Sequence, residues 1–570
     1  MKLNSKASST GIFFAATALL VLYLLSVRWQ IYLPITLFWV AVTLMVGTIT
    51  YQSLKTELSP SYAKVVLLEI AVTCFVFHLI YQIPYYGLPG YDPYVDLASA
   101  KGILSSGFIL RDLNYINLTS YFPMIHIFGV ISSMISGIDL FSVAKWLPSL
   151  LDVALIPLLY LLVRSVFKEE RVALISALLF ACLKNHIEFS SGFIRETIAL
   201  VLAVCCVYLY FSAKHSPYPH ANYALSIMCL IGTVFAHHLT SFMLLIFLST
   251  HFLLTKVAEV PYFRRAYFGN NITGEKVTFA FLSIAFATTL AYWTYVIMYP
   301  LYTLVTFVRS VFTLGQWGVR SYAKEAGISA ASIQTIRGYT IFYGFYFFNL
   351  IFGLILLYEL LPRARAKKPR VETYSFTLFF FLCGLVGFLS LYLVAAPVFP
   401  DRFLAYGWLF GFMPLVIAIL KGKHNWVKRV GVFLLIASML FNIYMIDTTG
   451  WSAGAVGVPT SPTLEDYALA NTFNFSRGNI FGYQNNVLAI YDVYNNLGTV
   501  FSSSVEVNLT QFDWVIINKE GLELEKTHFP TPRTETIAVL EHLAFGDSVG
   551  YNKIYESDNL VVVVKAHAGS

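Results

Sequence analysis

Charge is what this chain has least of. Asp, Glu, Lys and Arg make up 12% of its 570 residues, about half of the roughly 25% typical of a soluble chain. That scarcity excludes a soluble enzyme, a disordered chain and a nucleic-acid binder. Cysteine is sparse too. Cys74, Cys182, Cys205, Cys206, Cys229 and Cys383 lie in or beside apolar segments, and none falls after residue 447. No disulfide framework is implied for any water-exposed part, and these residues read as small packing groups. Lys2 and Lys6 precede an apolar stretch, but no small-residue cleavage site follows. Residues 1–27 therefore read as an uncleaved first helix. Heptads, a solenoid period and low-complexity tracts are also missing.

What is present is apolar. Hydrophobic residues make up 57% of the chain, and the mean hydropathy is +0.68. Runs near membrane-spanning length recur from 12 to 447, which predicts a mainly α, polytopic transmembrane bundle. About thirteen helices fit: 12–27, 31–49, 63–83, 148–167, 171–187, 193–212, 223–236, 239–255, 277–299, 341–361, 374–396, 403–420 and 428–447. Residues 223–255 could form one tilted span. The polar stretch Ala236-His237-His238-Leu239-Thr240-Ser241 favours two helices meeting at a bend.

Basic residues set the orientation. They crowd four short loops: Arg164, Lys168 and Arg171; Lys256, Arg264, Arg265 and Lys276; Arg363, Arg365, Lys367, Lys368 and Arg370; and Lys421, Lys423, Lys428 and Arg429. With the N-terminus cytoplasmic and thirteen spans, all four fall inside, which also accounts for the net charge of +7. A single helix over 223–255 would break this agreement. Three segments then face outward: about 84–147, about 300–340, and the tail 448–570. The chain thus divides into a transmembrane module, 1–447, and a small extracytoplasmic C-terminal domain, 448–570. The tail carries Trp514-Val515-Ile516-Ile517 and Leu560-Val561-Val562-Val563-Val564, β-branched runs that predict strands. Asn-X-Ser/Thr triplets at Asn117, Asn474 and Asn508 fall outside and one at Asn271 falls inside.

The first outer loop is the segment richest in chemistry. In Pro89-Gly90-Tyr91-Asp92-Pro93-Tyr94-Val95-Asp96, an aspartate before a proline predicts a helix start. Asp92 and Asp96 then lie one turn apart at the membrane surface. Asp92 either serves only as the cap or, as a general base, takes a proton from an acceptor hydroxyl. Tyr121-Phe122-Pro123-Met124-Ile125-His126-Ile127-Phe128-Gly129, continuing to Gly137, suits an interfacial helix lying on the bilayer. Lys145-Trp146-Leu147-Pro148-Ser149 is expected to open the next span.

These features together resemble the GT-C superfamily of integral-membrane glycosyltransferases, which use polyprenyl-phosphate-linked sugars. The likeness lies in the acidic outer loop, the Pro-containing surface helix ending in Gly, and the basic-x-x-Pro-Ser start of the next helix. The stretch Ser190-Ser191-Gly192-Phe193-Ile194-Arg195-Glu196-Thr197 and the helix pair meeting at His237-His238 add to it. The resemblance spans roughly 63–420 and is strongest over 84–212. It implies that Asp92 is the catalytic base, with Asp96 a second carboxylate, and that basic residues near outer helix ends hold the lipid phosphate. Arg402 is the first choice for that role and Arg337 the second. The arginine fork suits a phosphate, although Arg402 could equally snorkel or pair with Asp401. Arg195, Glu196, His237 and His238 are further candidates for binding substrate. The Trp-Trp-Asp-Tyr-Gly signature of the oligosaccharyltransferase branch is missing, so en bloc glycan transfer to asparagine is not expected. Three helices rather than one precede the acidic loop, and the two extra N-terminal ones read as an accessory pair.

The expected activity is transfer of a hexosyl or pentosyl group to a glycan, lipid or protein acceptor by a single inverting displacement. No Gly-rich phosphate loop occurs in the cytoplasmic segments, and a lipid-phosphate donor requires none. No cofactor is assigned, and Asp92 and Asp96 could share a divalent cation. Adjacent histidines on a helix point about 100° apart, so His237 and His238 would not serve one site easily. Either could bind a sugar hydroxyl or a metal, or simply pack. Lys184, His186 and Glu188 read as a solvated turn. The rivals from other classes are a transporter or lipid-sugar flippase, and a non-catalytic assembly subunit. Transport is disfavoured because no repeat is found and the ionisable residues gather at the outer face rather than at midplane.

Overall fold

The computed structural model describes most of residues 5–109, 118–264, 277–305, 371–393 and 425–447, scattered positions over 403–416, and five strands between 480 and 565. The expected helix over 341–361, Arg337, Arg402 and the four sequon asparagines lie outside the described residues. Within them the chain is a helical bundle. Among the described residues, the helices of membrane-spanning length and hydropathy are α1 (Ser5–Arg28), α2 (Ile35–Leu54), α3 (Pro60–Gln82), α6 (Leu140–Phe167), α9 (Arg195–Ala213), α10 (Pro219–Ala236) and α11 (His238–Glu259). These seven are long and apolar enough to cross a membrane. Between and after them lie α4 (Asp92–Ser106), α5 (Met124–Ser136), α7 (Glu170–Ala181), α8 (Lys184–Ser190), the short α12 (Pro261–Phe263), α13 (Phe279–Tyr295), α14 (Val371–Leu393) and α15 (Asn425–Asp447). The chain is a multi-pass membrane protein, as its composition predicts.

Local signals set the starts of several helices. Ser59 caps α3, its side chain accepting from Tyr62 N, with Pro60 in the first turn, and Thr278 caps α13 through Phe281 N. Both side chains satisfy an otherwise orphaned helix N–H. Asp139 caps α6 by accepting from Ser142 N at 2.9 Å. That cap starts α6 at Leu140, so Lys145 to Ser149 lie inside the helix instead of opening it, and Pro148 and Pro157 are internal. In a bundle interior a helix tolerates prolines because neighbouring groups satisfy the freed backbone. The expected helix over 171–187 is broken, with α7 ending at Ala181 and α8 resuming at Lys184. From Val172 to Ala181 every residue of α7 is buried, as an all-round apolar helix must be.

The bend between α10 and α11 is present. His237 is extended (φ −160°, ψ 130°) and serves as the last cap of one helix and the first of the next. The predicted surface helix is α5. It buries Ile125, His126, Gly129, Val130 and Ser133 and exposes Phe128, Ile131, Met134 and Ile135, the last two at 70% and 83%. A helix with one apolar face uncovered suits the interfacial position expected of it. Gly137 ends it in the left-handed conformation (φ 69°), which glycine adopts without a Cβ penalty.

In the tail, β1 (Ile480–Tyr483), β2 (Val500–Ser502), β3 (Trp514–Asn518), β4 (Tyr551–Glu556) and β5 (Leu560–Lys565) form one sheet in the order β2-β1-β3-β5-β4. The two β-branched runs singled out in the sequence are β3 and β5. They pair antiparallel, Ile516 opposite Val562, while β1 runs parallel to β2 and β3.

Antiparallel alternation sorts the helix ends. Arg28 Nη1 donates to Ile83 O at 2.8 Å, joining the end of α1 to the end of α3. Lys184 N donates to Asn442 Oδ1, bringing the end of α15 to α8. The starts of α6, α9 and α11 lie at this same end, with α4 and α5 laid over it. At the other end Arg164 pairs with Glu170 at 2.8 Å and Lys256 with Glu259 at 3.0 Å. Leu254 and Ala258 of α11 there pack with Val371 at the start of α14. Among the described residues, Arg164 and Lys256 therefore lie at one end of the bundle, and the acidic loop caps the other.

Candidate functional site

The capping end is assembled from short elements over an apolar floor. Leu88, Tyr94 and Leu97 pack with Ile125 and Val130 of α5, Leu140 and Ala144 of α6, Phe193, Ile198 and Ala199 around the start of α9, and Ala236 at the end of α10. Gly129 makes the closest approach. A Cβ there would stand 2.7 Å and 2.9 Å from ring atoms of Phe193, so glycine lets α5 lie on the turn that precedes α9 without displacing that ring. That turn is tied down from α3, where Gln82 Nε2 donates to Ser191 O at 2.5 Å.

On this floor Asp92 and Asp96 part company. Helix α4 begins at Asp92, which is exposed, whereas Asp96, one turn on, is completely buried. His126 Nε2 lies 2.8 Å from Asp96 Oδ1, and Arg195 Nε lies 3.3 Å from the same oxygen. Asp96 Oδ2 and His126 Nδ1 have no hydrogen-bond partner among the described residues. The carboxylate thus holds an imidazole and a guanidinium on one oxygen and keeps the other unengaged. A buried carboxylate is tolerable only with such partners. The structure brings Asp96 and Arg195 together, as two of the predicted site residues, and adds His126, which the sequence reading had passed over. An ionisable side chain in an otherwise apolar surface helix was the available signal.

Glu196, beside Arg195 in the first turn of α9, is buried. His237 Nδ1 lies 2.9 Å from Thr240 Oγ1, which in turn lies 2.5 Å from the Tyr406 hydroxyl. The His238 ring packs against Phe122. Because His237 is extended rather than helical, the 100° helical offset does not separate the two rings, whose centroids are 4.8 Å apart. Lys184, His186 and Glu188 do not form a solvated turn. Lys184 and His186 are buried, and Lys184 Nζ pairs with Glu188 Oε2 at 2.6 Å. The cause is α8, which turns this segment into the bundle. Ionisable groups are not confined to this end either: Gln52 Nε2 donates to Glu69 Oε1 at 3.4 Å within the spans.

No protein-family profile matches the chain, and a comparison with curated proteins finds no match. Solved structures do match. An oligosaccharyltransferase of Archaeoglobus fulgidus, tethered with an acceptor peptide, aligns with 14% identity and a TM-score of 0.50 over 90% of this chain and 75% of that one. The same organism's AglB, in complex with an inhibitory peptide and a dolichol-phosphate, aligns with 12% identity and a TM-score of 0.50 over 81% and 70%. ArnT from Cupriavidus metallidurans, bound to undecaprenyl phosphate, aligns with 11% identity and a TM-score of 0.50 over 90% and 99%. Likeness at these identities shows the fold. The chain shares the fold of these oligosaccharyltransferase and ArnT structures, as the resemblance stated above led us to expect. An oligosaccharyltransferase shares this fold, so the fold does not support the exclusion of that branch that the missing signature had suggested.

Proposed function

We propose that the chain is a membrane glycosyltransferase that moves a sugar from a polyprenyl-phosphate-linked donor to a glycan, lipid or protein acceptor on the extracytoplasmic face. One observation carries this reading. At the end of the bundle away from Arg164 and Lys256, an exposed carboxylate, Asp92, stands one turn from a buried Asp96–His126–Arg195 cluster. The neighbours bound to dolichol-phosphate and to undecaprenyl phosphate fit a lipid-phosphate donor for this fold.

The accessible carboxylate suits the base, and the engaged one suits a support. Asp92 takes the proton of the acceptor hydroxyl as its oxygen bonds to the anomeric carbon. The bond from that carbon to the phosphate oxygen breaks on the opposite side, inverting the centre. The lipid phosphate leaves with the electron pair, its charge met by arginine. Arg402 remains the first choice. It precedes Phe403, which is buried in the core, and Tyr406, which joins Thr240 beside His237. Arg337 is the second choice. Arg195, 18% exposed and held by Asp96 through Nε, suits a supporting role in the same task, with Glu196 next to it. A divalent cation shared by Asp92 and Asp96 would have only Oδ2 of Asp96 to use, since His126 and Arg195 occupy Oδ1. In this reading residues 1–447 perform the chemistry, with the N-terminus cytoplasmic, and 448–570 receives the acceptor.

The test is a purified membrane preparation given a radiolabelled polyprenyl-phosphate sugar, with lipid co-purifying with the chain identified by mass spectrometry. A bound polyprenyl-phosphate sugar and label moving to an acceptor are expected. Arg402→Lys should lower transfer and Arg402→Ala should lower it further. Lipid crossing the bilayer without sugar transfer would make the protein a flippase instead. Neither transfer nor a bound lipid phosphate would leave an assembly subunit.

A further inference from the structure

A second polar cluster lies deeper in the bundle and takes no part in this chemistry. Cys74 and His78 sit one turn apart on α3, Asp152 lies on α6 and His186 on α8. All four are buried, Cys74, His78 and Asp152 completely. One ligand atom each from Cys74, His78 and His186 lie within 4.8 Å of one another.

The hydrogen bonding around the cluster is oriented but incomplete. His78 Nδ1 donates to the Cys74 carbonyl at 2.7 Å, so the other nitrogen, Nε2, faces the cluster. There it lies 3.1 Å from Ser190 Oγ and 2.6 Å from Asp152 Oδ2. That approach makes His78 and Asp152 a buried ion pair, and Asp152 Oδ1 has no hydrogen-bond partner among the described residues. His186 Nε2 lacks one as well and stands 3.7 Å from Asp152 Oδ2. Its ring is fixed by packing on Phe180, with centroids 3.9 Å apart. Cys74 Sγ closes the group, 3.8 Å from His78 Nδ1 and 3.9 Å from the Asp152 carbonyl. A thiol, two imidazoles and a carboxylate with unused acceptors are costly to bury unless something joins them.

We propose that Cys74, His78, Asp152 and His186 form a structural zinc site that staples α3, α6 and α8. The donor set of one sulfur, two nitrogens and one oxygen is a tetrahedral zinc set. It is too soft for magnesium or calcium, which take oxygen ligands. Zinc bonds of about 2.0–2.3 Å place neighbouring ligand atoms about 3.3–3.8 Å apart, so the Cys74, His78 and His186 atoms must draw in by about 1 Å at most, while His78 Nε2 and Asp152 Oδ2, now 2.6 Å apart, must separate by about 0.7 Å. A thiolate and a carboxylate together balance the charge of the ion, which leaves the site neutral inside the bundle. The His78 Nδ1–H bond to a backbone carbonyl is the usual second contact of a zinc-bound histidine. Four protein ligands leave no open position, so the role is structural. Helix α8 leads through Ser190-Ser191-Gly192 to Arg195, and the staple therefore steadies the turn that brings Arg195 to Asp96.

The test measures metal on the full-length protein purified in detergent from zinc-supplemented cells. Wild type should retain about one zinc per chain through extensive washing, and Cys74→Ser and His186→Ala should retain almost none. Cobalt offered in place of zinc should give wild type the visible bands of a tetrahedral thiolate site, and Cys74→Ser, nearly the same size, should lack them. If the variants fail to fold, the wild-type zinc content and cobalt spectrum decide alone. Wild type without zinc or a cobalt spectrum overturns the proposal, as does zinc content unchanged in folded Cys74→Ser and His186→Ala. Asp92→Asn should keep its zinc, so failure of the transferase reading and failure of the zinc site are separate results.

Discussion

Among the described residues, Asp96 and Asp152 are each buried against a histidine within 3 Å, and their further partners set the two pairs apart. His126 meets Asp96 at 2.8 Å and His78 meets Asp152 at 2.6 Å, with all four side chains fully buried. Asp96 has in addition the partly exposed guanidinium of Arg195. Asp152 has a second imidazole, His186, and the Cys74 thiol nearby. The first pair therefore links the interior to a surface that can meet an anion, with Asp92 exposed one turn away. The second is closed and rich in soft donors, which suits a metal. The same dyad can serve opposite ends according to whether its third partner brings positive charge or a lone pair.

The largest expected effect is at the exposed end of the first pair. Asp92→Asn keeps a helix-starting side chain while removing the basicity, so protein level should stay near wild type while transfer falls about 10²-fold or more. Asp96→Asn is the comparison. If Asp96→Asn abolishes transfer while Asp92→Asn does not, the buried carboxylate is the base and the roles assigned here are reversed.

Arg195→Ala should lower stability by about 3–5 kcal/mol, the usual scale for leaving one member of a buried ion pair behind. The thermal unfolding midpoint in detergent should drop, and adding Asp96→Asn should recover part of the loss. A midpoint unchanged by Arg195→Ala would show that His126 alone satisfies Asp96 and would erase the difference between the two pairs. Gly129→Ala forces a methyl group into the Phe193 ring and should cost about 1–3 kcal/mol by overpacking. Phe193→Leu in the same chain should relieve it, as read by the same midpoint.

The smallest effect lies at the start of α6. Asp139→Ala removes a cap and should cost about 1 kcal/mol. Hydrogen bonds from Ser142 hold the Asp139 carboxyl below its ordinary value. The cap is therefore fully present above the unfolded carboxyl range near 3.9 and is lost as the pH falls through the lower, folded value. The gap between wild type and Asp139→Ala should close on acidification. A gap that persists would mean that the cap does not act through the ionised side chain.

Much of the fold was legible in the residues. Apolar length located the described spans to within a few residues, apart from α1, which begins seven residues early at Ser5, α6, whose cap at Asp139 lies ahead of its prolines, and α7–α8, which break at Ala181. Polar text at His237 marked the bend, and the β-branched runs marked β3 and β5. These are local properties, set by hydropathy, capping and side-chain shape. The acidic loop, the Arg195 turn and the paired histidines were singled out for the same reason. Which carboxylate is buried was not legible. Asp92 and Asp96 share a helix and nearly a face, and their difference in exposure comes from α5 and the start of α9 closing over only one of them. Nor could any spacing join His126 to Asp96 across 30 residues, or His78 to Asp152 and His186. Those contacts exist because antiparallel helices place distant residues at one depth, and only packing decides which of them face each other.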